Sequence, residues 1–290
     1  MQSIKYINKE IPVLQSLRII AQVYQETSIS EIQEVRSGVL KTRDYLSGLS
    51  NIYSELKSAR SAQMAQLAKS LHKAQDASDK LQKTLIVLLS ANTKLYGEIV
   101  LDVYKLFIDT LKSEPDADIM IVGRLGERLF SEGGDRRKHL FFEIPDTNLQ
   151  PHDLEPIIFH IVKYEKVVVF HGKFYNLMTQ RATRANITGE VLLEQTAAGI
   201  HQEIRQFLFE PNLEKLIQFF ETQIFATMFR QTVHEAELAR YASRVNAMEE
   251  SLQFIKKRQK ELSNSKRRFV RSIRQKKQLE RLSGMRLWRG

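Results

Sequence analysis

The two ends of this 290-residue chain are nearly free of helix breakers, and that restricts its fold more than any other feature. Pro12 is the only proline before Pro115, no proline follows Pro211, and glycine is absent from His201 to Ser283. Both ends also repeat apolar residues at heptad spacing. At the amino-terminal end the first and fourth heptad positions are Ile4/Ile7, Ile11/Leu14, Ile32/Val35, Val39/Thr42, Leu46/Leu49 and Tyr53/Leu56. At the other end Leu238/Tyr241, Val245/Met248 and Leu252/Ile255 are followed by Leu262, Phe269 and Ile273. A seam kept this long predicts left-handed coiled-coil packing, and two such helices in one chain can pair antiparallel. Arg18, Ala21, Gln25 and Ser28 hold the seam positions in mid-course, while Leu17, Ile20 and Tyr24 shift the apolar stripe sideways, so the pairing is expected to slacken there. Gly38 and Gly48 each cost about 1 kcal/mol relative to alanine in a helix, which packing of the seam can offset. At about 1.5 Å per residue, Met1–Lys57 would span about 85 Å and Asn212–Ser283 about 108 Å. The second helix is therefore expected to overhang the first.

Between the ends the pattern changes. Pro115, Pro145, Pro151, Pro156 and Pro211 fall in the middle third or at its edges, beside most of the glycines, which marks a compact domain. Thr84–Ser90 (TLIVLLS) reads as a buried strand, Glu98–Lys112 as an amphipathic helix, Asp118–Val122 as a strand and Leu125–Phe130 as a short helix. Leu140–Ile144, a short helix around Leu154–Lys163, and a Val167–Phe170 strand continuing toward Thr183 complete a small α/β sheet with parallel βαβ pairing. Gly133-Gly134 and Pro145-Asp146 are its loops. The expected division is 1–82, a long helix and a following helical segment; 83–200, a central Rossmann-like α/β domain; and 201–290, the second long helix with a basic tip. The fold class is thus mixed α+β and α/β, an antiparallel coiled coil around a small sheet.

The net charge of +10 is localised. Lys256–Gly290 holds fourteen Lys and Arg against two Glu, which leaves residues 1–255 at about −2. A neutral body with one basic end points to a partner engaged by that end. No apolar run approaches the roughly 18 to 20 residues that cross a bilayer. Membrane association would then be peripheral. The start, Met1-Gln2-Ser3-Ile4-Lys5, has neither a signal-peptide apolar stretch nor a transit-peptide pattern, which suggests a bacterial protein facing the cytoplasm. The chain has no cysteine, so disulfides, thiolate metal sites and cysteine nucleophiles are excluded.

A search for catalytic chemistry finds little. There is no Walker loop, and Gly123-Arg124-Leu125-Gly126 lacks the lysine and the spacing that cradle phosphate. A glycine between a strand and a helix start could still bind an anion, although a plain tight turn needs fewer assumptions. The seven histidines form no H-x-x-x-H or H-x-H pair with a nearby carboxylate, which argues against metal. His152-Asp153 and His234-Glu235 look like general-base pairs, but sequence neighbours seldom face one another on a helix. No G-x-S-x-G elbow is present. No catalytic, cofactor or metal residue is expected.

In the basic run Lys256, Lys257, Arg258, Lys260, Lys266, Arg267, Arg268, Arg271, Arg274, Lys276 and Lys277 continue a helix, with Leu262, Phe269, Ile273, Leu279 and Leu282 interleaved on one side. Three readings compete on physics alone: nucleic-acid backbone binding, attachment to anionic lipid, and insertion into an acid-lined protein cavity. Charge alone leans to the first.

The order of elements, a long helix at each end and a small α/β domain between, resembles the gamma subunit of F-type ATP synthases over essentially the whole chain. Ala242-Ser243-Arg244-Val245-Asn246-Ala247-Met248 is similar to that family's A-A-R-M-x-A-M stretch, and an ungapped run from Met248 reaches Leu279-Glu280 and Ser283-Gly284, where the family ends in E-I-x-G-G. Glu210-Pro211 matches the E-P that opens the second long helix, and Val122-Gly123-Arg124-Leu125-Gly126 resembles I-G-R-K-G. Ser90-Ala91-Asn92-Thr93-Lys94-Leu95-Tyr96-Gly97 stands in place of S-S-D-R-G-L-C-G-G, and Phe174-Tyr175-Asn176 and Met178-Thr179-Gln180 resemble F-x-N and x-T-Q. Departures mark a divergent branch: Phe254-Ile255-Lys256-Lys257-Arg258 is basic where the family is acidic and amide-rich, Val270-Arg271, Gln275 and Lys277 replace its R-Q, T and E, and its amino-terminal signature is largely missing.

The resemblance implies a rotor shaft without catalytic residues, turning inside a hexamer of alpha and beta subunits and gripping the epsilon subunit and the ring of c subunits. It also implies peripheral attachment on the cytoplasmic side of the plasma or inner membrane, reached only through the complex, and no nucleic acid. The stator-facing tip is expected to comprise Arg244, Met248, Lys256, Lys257, Arg258, Arg267, Arg268, Arg271, Arg274, Gln275, Lys277, Leu279 and Met285. Two rivals remain open. A D-type shaft of a vacuolar or archaeal ATPase shares the coil but lacks an α/β domain of this size, and a coiled-coil scaffold could bind nucleic acid, or another ATPase, through its basic end.

Overall fold

A computed structural model describes residues 4–67, 81–134, 137–187 and 213–287. Helix α1 runs Ile4–Leu67 and helix α5 Leu213–Leu287. Between them lie β1 (Leu81–Leu89), α2 (Ile99–Ser113), β2 (Asp118–Val122), α3 (Arg124–Glu132), β3 (His139–Phe142), α4 (Pro151–Ile161), β4 (Tyr164–Asn176) and β5 (Thr179–Ile187). Pro12 sits inside α1 without ending it. Its ring forfeits one backbone hydrogen bond, which the long helix absorbs. The Glu210-Pro211 pair and the 200/201 boundary lie outside the described residues.

By contacts the chain divides into two compact units, Met1–Ile29 with Arg244–Gly290, and Ser30–Ser243. In the first, Ile7, Ile11 and Leu14 of α1 pack with Ile255 and Leu262 of α5. Glu10 meets Arg258 and Gln25 meets Glu249, so numbers rise on one helix as they fall on the other, and the pair is antiparallel. The seam runs straight on through Ala21 and Ser28, both buried, while Leu17, Ile20 and Tyr24 stay exposed. Of the sideways apolar stripe, Leu17 and Ile20 take no part in the buried seam, while the Tyr24 ring meets Arg244 of α5 at 5.7 Å. Heptad geometry keeps the a and d positions facing the partner, and small residues there allow close approach. Leu262 is the last buried seam residue; Phe269 and Val270 are half-buried, and residues 271–282 are all exposed. Leu279 and Leu282 do not continue the stripe of Leu262, Phe269 and Ile273. At about 100° per residue they lie roughly 120° and 180° round the helix from Ile273. The expected one-sided face ends with Ile273.

In the second unit the strand order is β3-β2-β1-β4-β5, parallel except for the antiparallel β4–β5 pair. β1 is central and buried on both faces, which is why it reads as a continuous apolar run. Leu85, Val87, Leu89, Val167 and Val169 face α4 (Leu154, Ile157, Ile161) and α5 (Phe229, Val233, Ala236). Ile86, Leu88, Ile119, Ile121, Val168 and Phe170 face α2 (Val103, Phe107, Leu111) and Phe130 of α3. Phe107 meets the rings of Phe130 and Phe170 edge-on at 6.2 and 5.8 Å. Leu49, Tyr53 and Leu56 of α1 pack on Ile217 and Ile224 of α5, and the Tyr53 hydroxyl donates to Glu221 at 2.8 Å.

One element differs from the sequence expectation. The strand starting at Val167 does not run through to Thr183; it turns at Leu177-Met178 and returns as β5. The turn has no Gly or Pro to announce it. The Asn176 side chain makes it instead, its Oδ1 accepting the N–H groups of Met178 and Thr179 at 3.0 and 2.8 Å.

Candidate functional site

A doubly wound sheet binds ligands where its strand order reverses, outside the carboxyl ends of the strands. Here that point lies between β1 and β4. It is filled by the protein's own side chains. The Arg240 guanidinium donates to the Ser90 carbonyl just past β1 and stacks 5.8 Å from the Tyr96 ring. Gly172 of β4 lies so close to Ile99 and Ala239 that an added Cβ would stand 2.9 and 3.0 Å from them. Gly97, with φ +63°, presses on Ser243 in the same way. The Tyr241 hydroxyl donates to the Asp146 carbonyl at 2.7 Å, and the Asp146 carboxylate accepts the Asn92 N–H at 3.0 Å. Burial first, then the neighbouring ionisable groups, raises the Tyr241 phenol well above its usual range. Among the described residues these contacts occupy the space between the carboxyl ends of β1 and β4.

Only Gly123 is a bend between β2 and α3; Arg124, Leu125 and Gly126 are already the first turn of α3. Gly123 has φ +101°, Arg124 N–H donates to Asn92 Oδ1 at 3.0 Å, and Leu125 N–H donates to the Ala91 carbonyl at 2.8 Å. Both of these donors at the helix start are spent on the chain itself. Neither histidine pair forms a general-base dyad. His152 lies 3.4 Å from Asp153 but is exposed to water, and the Asp153 carboxylate is engaged in capping α4, accepting the Gln150 N–H at 2.9 Å. His234 bonds Glu237 at 2.9 Å, one turn on, rather than Glu235. Among the described residues no group of three or more His, Asp or Glu is placed to hold a metal. A 590 Å³ open cleft beside α2, lined by Tyr104, Ile108, Gly133 and Arg137, has its one carboxylate, Asp109, paired with Lys112 at 2.9 Å.

Besides Tyr241, two buried groups of the sheet unit are shifted from their usual pKa. Burial, then the hydrogen bond to Asp118 at 2.9 Å, pushes the Tyr164 phenol up to about 12. Burial lowers His171, against the opposing pull of its Gly172 carbonyl contact and Glu235. A histidine held neutral in the fold contributes stability above its unfolded pKa of about 6.5, and that contribution is lost as pH falls below it. Denaturant titrations at pH 7.5 and 5.5 should therefore show wild type losing stability relative to His171→Gln on acidification. Parallel pH dependences of the two proteins would contradict this.

The residues assigned to the tip divide into two sets. Arg244 is 7% exposed, with its guanidinium 5.7 Å from the Tyr24 ring, and Met248 is half-buried in the seam. Arg258 forms a two-pronged ion pair with Glu10 at 2.7 and 3.2 Å, and that hydrogen bond holds its pKa above the usual value. These three belong to the coil. Lys256, Lys257, Arg267, Arg268, Arg271, Arg274, Gln275, Lys277 and Leu279 are exposed on α5. Met285 lies in α5, but its side chain is outside the described residues. The partner role of Glu10 was not anticipated, although antiparallel pairing of Ile7 and Ile11 with Ile255 and Leu262 puts it beside Arg258.

Residues 3–277 match the family model described as ATP synthase. The chain is 21% identical over 257 residues to the ATP synthase gamma chain of Mesoplasma florum, covering 86% of this chain and 85% of that one. It is 20% identical over 277 residues to the gamma chain of Roseiflexus sp., covering 91% of each. In structure it is similar to a chain of the Tetrahymena thermophila mitochondrial ATP synthase central stalk and c-ring, with a TM-score of 0.54, 16% identity, and coverage of 80% of this chain and 98% of that one. It also resembles a chain of the Euglena gracilis mitochondrial ATP synthase, at a TM-score of 0.52 and 14% identity, covering 88% of this chain and 94% of that one. The nucleic-acid scaffold has no counterpart among these relatives. A straight antiparallel seam, a doubly wound sheet with its ligand crevice filled, and a family match across nearly the whole length lead to one assignment: this chain belongs to the ATP synthase family, among its gamma chains.

Proposed function

We propose that the chain is the central rotor shaft of an F-type ATP synthase, coupling proton or sodium flow to ATP synthesis or hydrolysis in a surrounding alpha/beta hexamer. The observation that carries this reading is a single uninterrupted helix. Leu213–Leu287 holds both the residues that pack on the sheet, Phe229, Val233 and Ala236, and the exposed basic run beyond Leu262. A stiff element of that kind can pass torque from one gripped end to the other. The shaft supplies no catalytic group; as it turns it favours a different conformation of each catalytic subunit. Residues 1–82, 83–200 and 201–290 form its functional parts. The central part grips the epsilon subunit and the c-ring, and the two helical parts enter the hexamer. No described helix is long and apolar enough to cross a membrane, which fits peripheral attachment through the complex, on the cytoplasmic side of the plasma or inner membrane.

The exposed basic residues of α5 would meet acidic loops of the stator, an attraction that acts at long range and weakens with salt. Replacing Arg267, Arg268 and Arg271 together by glutamine is expected to lower the coupled ATPase rate and flatten its dependence on ionic strength. Unchanged rate and salt response would remove the electrostatic role. The reading as a whole is tested by affinity purification of tagged protein from its host at moderate salt. Recovery with alpha, beta and epsilon subunits in a complex that hydrolyses ATP supports it. Recovery alone, or with nucleic acid released along a steep salt slope, overturns it.

A further inference from the structure

The β4–β5 hairpin ends in a tip that the fold leaves bare. Met178 is 80% exposed, and Tyr175 and Leu177 beside it are also exposed. The tip is held firmly all the same. Besides the two bonds to Asn176 Oδ1, the Gln180 side chain donates to the carbonyls of Asn176 and Leu177 at 2.9 and 2.8 Å. Side-chain bonds that fix a loop while it shows apolar groups to water do not bury those groups. They pre-organise a knob, which lowers the ordering cost of docking.

The rung below the tip has a second unusual feature. Lys173 and Arg181 are direct cross-strand partners, so two cations stand opposite one another on an exposed face. Like charges so placed oppose strand pairing. Among the described residues neither has an ion-pair partner, and Lys173 does no more than lean over the Tyr175 ring at 5.6 Å. A partner carboxylate between them would turn the repulsion into two charge-assisted hydrogen bonds, one from the planar fork of the arginine.

We propose that this hairpin is a protein-docking knob: Met178 and Leu177 enter an apolar recess on a partner subunit, and the Lys173/Arg181 pair clasps an acidic segment beside it. A polypeptide carboxylate fits better than an anionic bilayer. A membrane surface needs only scattered positive charge, whereas two cations paired on one rung match a single anionic group. The inference rests on the rotor reading and deepens it, naming the surface of the central part that a neighbouring subunit would grip.

The test introduces a photo-crosslinking phenylalanine analogue at Met178 in the affinity-purified native complex, with the same analogue at exposed Phe159 of α4 as control. The expected result is an adduct at position 178, absent at 159, to a partner peptide carrying Asp or Glu at the crosslinked stretch. Lys173→Glu with Arg181→Glu keeps the like-charge rung but reverses its sign, and should cut the adduct about fivefold or more. An adduct with lipid only, a partner peptide without carboxylates, a yield no greater than at position 159, or a yield indifferent to charge reversal would each overturn the proposal. Subunit recovery in the same preparation reports separately on the rotor reading.

Discussion

Truncating Phe229 to alanine is expected to cost about 4 kcal/mol of stability in the sheet unit, one of the largest single-residue effects in the chain. Phe229 is fully buried and fills the space between α5, α4 and the strand face formed by Leu85, Val87 and Val167. Its removal takes away a large apolar surface and leaves a cavity walled by β-branched side chains that collapse poorly. Phe229→Leu keeps most of the volume and should cost well under half as much. Urea denaturation followed by circular dichroism measures both. Because Phe229, Val233 and Ala236 are the fully buried α5 residues of this core, with Phe225 and Met228 packed beside them, the alanine variant should also lose grip between sheet and shaft. In the assembled enzyme that loss would appear as ATP hydrolysis that no longer drives ion transport. Equal stability of the alanine and leucine variants would mean that the α5 face is not the anchor described here.

Gly123→Ala should be nearly as damaging, for a different reason. The backbone there has φ +101° and ψ 138°, a region that side-chain-bearing residues avoid. An added Cβ would lie 3.0 Å from both the N and the O of Ala91. Those are backbone atoms, held by the bonds from Ser90 N–H to the Val122 carbonyl and from Leu125 N–H to the Ala91 carbonyl, so they cannot move aside. Strain and overpacking together come to about 2 to 5 kcal/mol. Gly134 also has positive φ but has open space around it. Gly134→Ala should therefore cost distinctly less in the same denaturation series, and a reversed ranking would refute the close-contact argument.

The parts of this molecule that were legible in the sequence are those whose environment is uniform along the element. β1 is buried on both faces, so TLIVLL needed no partner to be recognised, and β2 matches the expected Asp118–Val122 span. Both long helices followed from seam periodicity and missing breakers. What escaped depended on a single side chain or on a distant one. The β4–β5 turn rests on one asparagine, and neither Leu177 nor Met178 is a turn former. The filling of the sheet crevice rests on Arg240, 150 residues beyond the carbonyl it reaches. The tip residues read as one surface in the sequence, yet Arg244 and Arg258 are drawn into the coil by Tyr24 and Glu10, which charge counting along one helix cannot reveal.

The packing of α5 on the sheet bears on how such a chain is made. The strands and α4 are synthesised well before Phe229, Val233 and Ala236, which complete the same core. Until α5 has left the ribosome, the face formed by Leu85, Val87, Met120, Val167 and Val169 lacks part of its cover. Domains that close within a contiguous stretch can fold as they emerge, whereas this one needs residues about 140 positions after its first strand. Its native state is therefore reached late in translation, and the nascent sheet is an apolar surface that a chaperone would recognise.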